Sequence, residues 1–370
     1  MKIILNAIQF KQQSSGIGLM IYNLYKNLIE VSPEIDFTIL LSKDSPILVD
    51  EEKYNVIRTP FEKGQVLLRN LYENFVIGKY ANNSLYLSCD SKLPLFMPKL
   101  SKKILFVTDL AVYRMGDVYQ ASRKLYWKYM FKRSIKKADK VIAISEFTKS
   151  EIIEILGTDS NKIEVVYCAA NENISHVDEA SKLEFVKQKY NLPDNFLLFV
   201  GNFNPRKNLI NIIKAFDKFK QINTSNYKLV IVGENGWKFN GQEALADIVH
   251  KEDILFPGYV DDADLSAVYT LSDMFLFPTL YEGFGIPIIE AQLCKTPVIA
   301  SNTSCFKEVA GDGAILVNPY SVEEISEAIL AVCSDNALKE DLIKKGIDNC
   351  CKFSWKKSAE ELKTIILECG

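Results

Sequence analysis

Histidine is scarce in this chain. Only His176 and His250 occur among 370 residues, and neither stands near a cysteine or carboxylate cluster, so a zinc centre has almost nothing to be built from. The eight cysteines, Cys89, Cys168, Cys294, Cys305, Cys333, Cys350, Cys351 and Cys369, include no pair at CxxC spacing. Several fall in apolar stretches expected to be core, which reads as reduced thiols of a cytosolic protein. No run of about 18 apolar residues occurs, so the chain is expected to be soluble or peripheral to a membrane and not to span it. The first residues, Met1-Lys2-Ile3-Ile4-Leu5-Asn6-Ala7, carry no small-residue cleavage site and suit a first buried strand better than a secretory signal. Positive charge is not in surplus either. A net charge of -3 gives no reason to expect a nucleic-acid binder, whose affinity rests on Lys and Arg spread over a surface.

What is present suits a globular α/β protein. With 48% hydrophobic and 25% charged residues, the chain is too long for one ordinary core and suits two domains of roughly 150 to 190 residues. Short β-branched runs alternate with longer amphipathic stretches, the pattern of βα units in a parallel sheet with helices on both faces. In the first half the pattern predicts strands at 2–7, 36–41, 54–58, 84–88, 103–107, 139–144 and 162–167, with helices at 18–31, 65–79, 119–137 and 146–156. From Cys168 to Asp194 it becomes polar, with one helix near 182–190, and reads as a linker. The second half repeats the grammar. Strands are predicted at 196–201, 227–232, 253–256, 273–277, 297–300 and 314–317, and helices near 206–222, 241–250, 262–271, 286–294, 321–333, 336–350 and 354–367. The expected division is residues 1–175, residues 176–353, and residues 354–370, a helix crossing back to the first. Two Rossmann-like, doubly wound domains in series would face each other across a cleft lined by the carboxyl ends of their strands, where such sheets bind ligands.

Two segments of the second half carry chemistry. In Phe199-Val200-Gly201-Asn202-Phe203-Asn204-Pro205-Arg206-Lys207-Asn208, a buried strand gives way to a helix with Pro205 in its first turn. Backbone N–H groups there favour an anion, and Arg206 with Lys207 adds a planar fork and a point charge suited to a diphosphate. In Pro278-Thr279-Leu280-Tyr281-Glu282-Gly283-Phe284-Gly285-Ile286-Pro287, the two glycines let backbone approach a ligand before a second helix begins. Glu290 lies among apolar Ile288, Ile289 and Ala291, where a carboxylate needs hydroxyl or N–H partners; a ribose diol and a salt bridge are both open readings.

Glu282 and Glu290 form an E-x7-E motif, and with the Pro-Arg-Lys-Asn turn the chain resembles the retaining glycosyltransferases of family 4 (glycosyl transferases group 1), which have the GT-B fold. The likeness covers nearly the whole chain and is strongest from Phe199 to about Ser334. The resemblance implies that Arg206 and Lys207 hold the donor diphosphate, that Gly283, Phe284, Gly285 and Ile286 present backbone N–H groups to it, that Glu290 binds the ribose, that Glu282 contacts the transferred sugar, and that Tyr259 and Val260 lie beside the base. In the first half it implies that Gly16 and Gly18, in Ser15-Gly16-Ile17-Gly18, close over the phosphate, and that Asp109 is the acidic residue following a buried strand, with a catalytic role. Many relatives have His-Asp where this chain has Thr108-Asp109, and some carry Arg where it has Asn202; a plain strand-end cap is the other reading of Asp109. Ser145 before the 146–156 helix is sufficiently explained as an N-cap.

The implied reaction moves a sugar, mannose-type or a related hexose or deoxyhexose, from a nucleotide diphosphate sugar to a saccharide acceptor with retention. Cationic side chains and helix N-termini would stabilise the leaving phosphate without a metal or other cofactor. Asp262-Ala263-Asp264 reads as an acidic first helical turn and not as a metal site. A nicotinamide-dependent oxidoreductase is a second class of answer, but the runs from Gly16 to Ile21 and from Gly283 to Ile288 both end in Ile where G-x-G-x-x-G needs its third glycine. A non-catalytic nucleotide-sugar-binding subunit is a third. Between Lys99 and Lys140 there are twelve Lys or Arg against three Asp. The 119–137 helix there is either a solvated basic face or a surface for anionic headgroups, bringing a cytoplasmic protein to a lipid-linked acceptor in surface polysaccharide assembly. The exposed-looking Leu93–Pro98 loop would contribute.

Overall fold

The structure, a computed structural model, describes residues 1–10, 16–46, 48–62, 64–116, 119–223, 226–233 and 245–370. The chain divides into two compact units, Met1–Ala169 together with Phe353–Gly370, and Ala170–Lys352.

The first unit is built on a seven-stranded sheet in the order β3-β2-β1-β4-β5-β6-β7, with every neighbouring pair parallel. Its strands are β1 (Lys2–Asn6), β2 (Asp36–Leu41), β3 (Asn55–Arg58), β4 (Leu85–Ser88), β5 (Lys102–Val107), β6 (Lys140–Ala143) and β7 (Ile163–Val165). A parallel sheet covered on both faces needs apolar side chains at successive positions, and Ile3, Ile4 and Leu5 are all fully buried. The helices are α1 (Ile17–Val31), α2 (Val66–Phe75), α3 (Ala111–Arg114), α4 (Ala121–Lys137) and α5 (Glu146–Leu156). The last helix of the chain, Trp355–Cys369, packs on α1, where Lys363 Nζ donates to the carbonyl of Val31 at 2.7 Å and pairs with Glu34 at 2.7 Å.

The second unit repeats the plan with six parallel strands in the order β10-β9-β8-β11-β12-β13. They are β8 (Phe196–Val200), β9 (Lys228–Val232), β10 (Ile254–Gly258), β11 (Met274–Phe277), β12 (Val298–Ser301) and β13 (Ala314–Val317). The helices, continuing the numbering, are α6 (Ala180–Lys189), α7 (Leu209–Ile222), α8 (Asp262–Leu271), α9 (Ile286–Leu293), α10 (Phe306–Ala310), α11 (Val322–Ser334) and α12 (Asn336–Cys350). Among the described residues no helix is long and apolar enough to cross a membrane.

Three predicted elements differ. The 65–79 helix ends at Phe75, and a separate 3-10 turn covers Ile77–Lys79. A Cβ on Gly78 would stand 2.1 Å from the carbonyl oxygen of Phe96, so the backbone there is pressed against a neighbouring loop. The 206–222 helix is split at Asn208. Of the 241–250 helix, residues 241–244 lie outside the described residues and 245–250 form turns. The short α3 and α10 had no periodic signal long enough to predict them.

Candidate active site

The strand order changes direction between β8 and β11 in the second sheet, and the loops after these adjacent strands leave side by side at their carboxyl ends. Those loops are the two segments the sequence singled out. After β8 the backbone turns through Gly201, at φ 154°, and a Cβ on Gly233 would stand 2.1 Å from the Gly201 carbonyl oxygen; this close approach of two chain segments admits only glycine. Pro205–Lys207 then forms a 3-10 turn that ends at Asn208 in the left-handed region, φ 61°. The buried Asn208 amide donates to the carbonyls of Pro278 at 2.8 Å and Pro319 at 2.6 Å, which is why the helix starts only at Leu209. Arg206 and Lys207 therefore sit in a pinned turn ahead of α7, and not in its first turn as predicted. The N–H of Leu280 donates to the Arg206 carbonyl at 2.8 Å and ties the second loop to the first.

These ties bring Arg206, Lys207 and Glu282 together. Lys207 Nζ lies 2.7 Å from Glu282 Oε1 and 4.6 Å from the centre of the Phe277 ring, and an Arg206 nitrogen lies 3.6 Å from Glu282 Oε2. Burial pushes the Glu282 carboxyl up, but the charges of Arg206 and Lys207 outweigh it and hold the group below its ordinary range. Burial lowers the Lys207 ammonium, with Glu282 opposing that shift and Arg206 adding to it. The Glu282–Lys207 contact lacks hydrogen-bond alignment, so Oε1 is a buried carboxylate oxygen without an aligned donor. The Cys305 thiol donates to the carbonyls of Phe284 at 2.8 Å and Glu282 at 3.4 Å, holding the loop through Gly283 closed on its other side. Gly285, at φ 102°, then caps α9, with Ile286 and Pro287 opening the helix.

Glu290 belongs to a neighbouring cluster. It is buried on α9, and the hydroxyl of the fully buried Tyr269 on α8 donates to its Oε2 at 3.1 Å. Thr296 Oγ1 donates to the Tyr269 carbonyl at 2.7 Å, anchoring the same residue. Burial pushes the Glu290 carboxyl up to about 7, a shift that the Tyr269 hydrogen bond opposes and the charge of Asp262 reinforces. Asp262 opens α8, as predicted from the acidic first turn, and accepts a hydrogen bond from the half-exposed Tyr259 at 3.1 Å; Val260 beside it is buried. Tyr269 carried no sequence signal, because a tyrosine in an amphipathic helix does not announce a partner on the next one.

In the first unit, Gly16 adopts φ 71° and caps α1, and Gly18 is buried in the first turn; Ser15 lies outside the described residues. Asp109 follows β5 and accepts the Ala111 N–H at 2.9 Å, a turn contact just ahead of α3, whose N-cap is Leu110. Thr108 approaches the Ser91 hydroxyl at 3.4 Å. Ser145 accepts the Thr148 N–H at 3.0 Å, the N-cap expected of it. Of the Leu93–Pro98 loop, Leu93 and Pro94 are buried and only Phe96 is exposed, a correction to the expected open loop. Sequence reasoning also missed buried Asp90 and Lys92, beside the switch point between β1 and β4; Gln9 donates to Asp90 at 3.3 Å.

Two parallel, doubly wound sheets in series, each with its own switch point, are the plan of the GT-B glycosyltransferases. Residues 181–349 match the family described as Glycosyl transferases group 1, and residues 106–173 match Glycosyltransferase Family 4. The chain is 29% identical over 259 residues to O-antigen chain mannosyltransferase B of Escherichia coli, a match covering 70% of this chain and 68% of that one. It is 30% identical over 231 residues to the serotype-specific mannosyltransferase WbdA of Escherichia coli, covering 60% of this chain but only 28% of that one. The Anabaena protein HepE, solved in complex with UDP and glucose, superposes with a TM-score of 0.74 at 16% identity, over 99% of each chain. The chain belongs to the family-4 glycosyltransferases, the glycosyl transferases group 1.

Proposed function

We propose that the protein transfers a mannose-type hexose from a nucleoside diphosphate sugar to a saccharide carried on a lipid, with retention and without a metal, in the assembly of a surface polysaccharide. The observation that carries this reading is the convergence of Lys207, Arg206 and Glu282 at the switch point of the second sheet. Two cations there meet the negative charge that builds on the leaving phosphate as the glycosidic bond breaks, and they are held in place before reaction begins. The Glu282 carboxylate, whose buried Oε1 lacks an aligned protein donor, is suited to a hydroxyl of the transferred sugar, and Glu290, steered by Tyr269, to the ribose diol. Tyr259 and Val260 border the base, and the backbone of Gly283 to Ile286 serves the phosphate. Gly16, Gly18 and Asp109 are the groups of the first unit assigned to the reaction. The E. coli relatives, named as mannosyltransferases, support a mannose-type donor, and the UDP and glucose of HepE support a nucleotide sugar.

The test begins with a thermal-shift screen of UDP-, GDP- and dTDP-sugars, since a ligand bound only by the folded state raises its melting temperature. Transfer from the best donor is then followed by the anomeric proton coupling of the product. Retention, undiminished by EDTA, is expected. An inverted product, or activity lost with EDTA and restored by Mg²⁺ or Mn²⁺, contradicts the mechanism.

A further inference from the structure

Helix α2 is inside out. Its residues Glu73 and Asn74 are buried and Arg69 is half-buried, whereas Val66, Leu67, Leu68, Leu71 and Phe75 are exposed, Leu67 at 73%. A buried charge cluster orients it. Lys92 contacts a Glu73 carboxylate oxygen, lies 3.9 Å from Asp90 and donates to Asn70 Oδ1 at 3.0 Å, while Arg69 Nε stands 3.8 Å from Glu73. Turning the apolar face inward would strip a buried lysine of its carboxylate, which is strongly unfavourable. The outward apolar face is therefore enforced by the fold.

This face continues into a second helix. Phe96, 61% exposed, packs on Phe75 with ring centres 5.2 Å apart. The same loop is tied to α4 by Arg133, which donates to the carbonyls of Pro94, at 3.2 Å, and Leu95. Trp127 of α4 lies 5.9 Å from Lys92 Nζ, so α4 borders the cluster that holds α2. Along its length α4 carries seven Lys and Arg and no acidic residue, and it exposes Leu125, Tyr126 and Tyr129 among them.

We propose that α2, the Phe96 loop and α4 form one docking face for an anionic phospholipid bilayer. The apolar ridge of α2 enters the acyl boundary, and the exposed cations of α4, Arg123, Lys132, Lys136 and Lys137, hold the headgroups. Charge complementarity selects this occupant. Charge of a single sign, with tyrosines at the rim of an apolar ridge, matches a layer where a wet anionic surface borders hydrocarbon. The inference rests on the reading of the acceptor as lipid-linked, and it assigns to α2 the apolar part of membrane attachment.

Sedimentation with vesicles tests it, using the full chain and phosphatidylcholine alone or with roughly one third phosphatidylglycerol. Binding to the anionic vesicles is expected, with only partial release by salt, because apolar insertion is not screened. Leu67→Glu with Leu71→Glu changes exposed positions only and should weaken partition by about tenfold or more. Charge reversal at Lys132 and Lys136 should weaken it in a salt-dependent way. A Leu67/Leu71 variant that binds as tightly as the parent overturns the proposal. So does a parent that ignores vesicles but self-associates through this face, which would make it an interface between copies. The nucleotide-sugar thermal shift, measured on the same variants, reads the donor site separately: its absence in the parent counts against glycosyl transfer and leaves the vesicle result to judge this face.

Discussion

At the switch point of the second sheet the buried charges face the loops that follow β8 and β11, whereas at that of the first they run sideways beneath helix α2. Both units set a lysine against a buried carboxylate, at Lys207–Glu282 and at Lys92–Glu73. The difference lies in what the pair supports. Lys207 and Glu282 sit on loops tied together by Leu280 and Asn208. Lys92 and Glu73 sit between a loop and a helix, so their attachment sets which face of that helix meets solvent. A buried ion pair is weak evidence of stability, but in each unit it fixes one geometry among several.

The largest effect that could sharpen this comparison is the loss of Lys207. If its charge meets the leaving phosphate, Lys207→Met should lower turnover by about 10²- to 10³-fold while donor affinity changes much less. Initial-rate kinetics separate the two, and an unchanged kcat would remove Lys207 from the transition state.

A smaller effect concerns Glu290, whose carboxyl is raised from its ordinary 4.5 to about 7 by burial. The folded protein therefore binds more protons than the unfolded chain between these values. The stability from this group is present below the lower value and is lost as the pH rises through the higher. The loss amounts to up to about 3 kcal/mol. Urea unfolding at about pH 5 and pH 8 should show this fall in the parent and its absence in Glu290→Gln. Glu282 has the opposite sign, because its neighbours hold it low and its contribution is lost on acidification. An equal fall in both proteins would mean that Glu290 titrates like an exposed carboxylate.

Much of this was legible in the sequence, for a physical reason. Parallel strands buried on both faces read as apolar runs, and capped helices declare their ends: α5 after Ser145 and α12 after Asp335 run as predicted. The Arg206, Lys207 and Glu282 cluster was legible because both segments follow strands that end at the same edge. What stayed hidden was non-local. The split at Asn208 depends on carbonyls 70 and 111 residues away, and the Tyr269–Glu290 bond joins two helices. The orientation of α2 is the clearest case. Periodicity alone turns an apolar stripe inward, and only Lys92, nineteen residues further on in the chain than Glu73, reverses it.

The most direct test of the claim that the second unit holds the donor nucleotide is calorimetric titration of the best nucleoside diphosphate into the parent, Glu290→Gln and Asp109→Asn. The account predicts that Glu290→Gln loses about 1.5 to 3 kcal/mol, roughly ten- to a hundredfold in affinity, because charged hydrogen bonds to the ribose are weakened. Asp109→Asn should bind the nucleotide as the parent does, since Asp109 belongs to the other unit, where it accepts the Ala111 N–H. Undiminished affinity in a folded Glu290→Gln variant, together with a loss in Asp109→Asn, would contradict it.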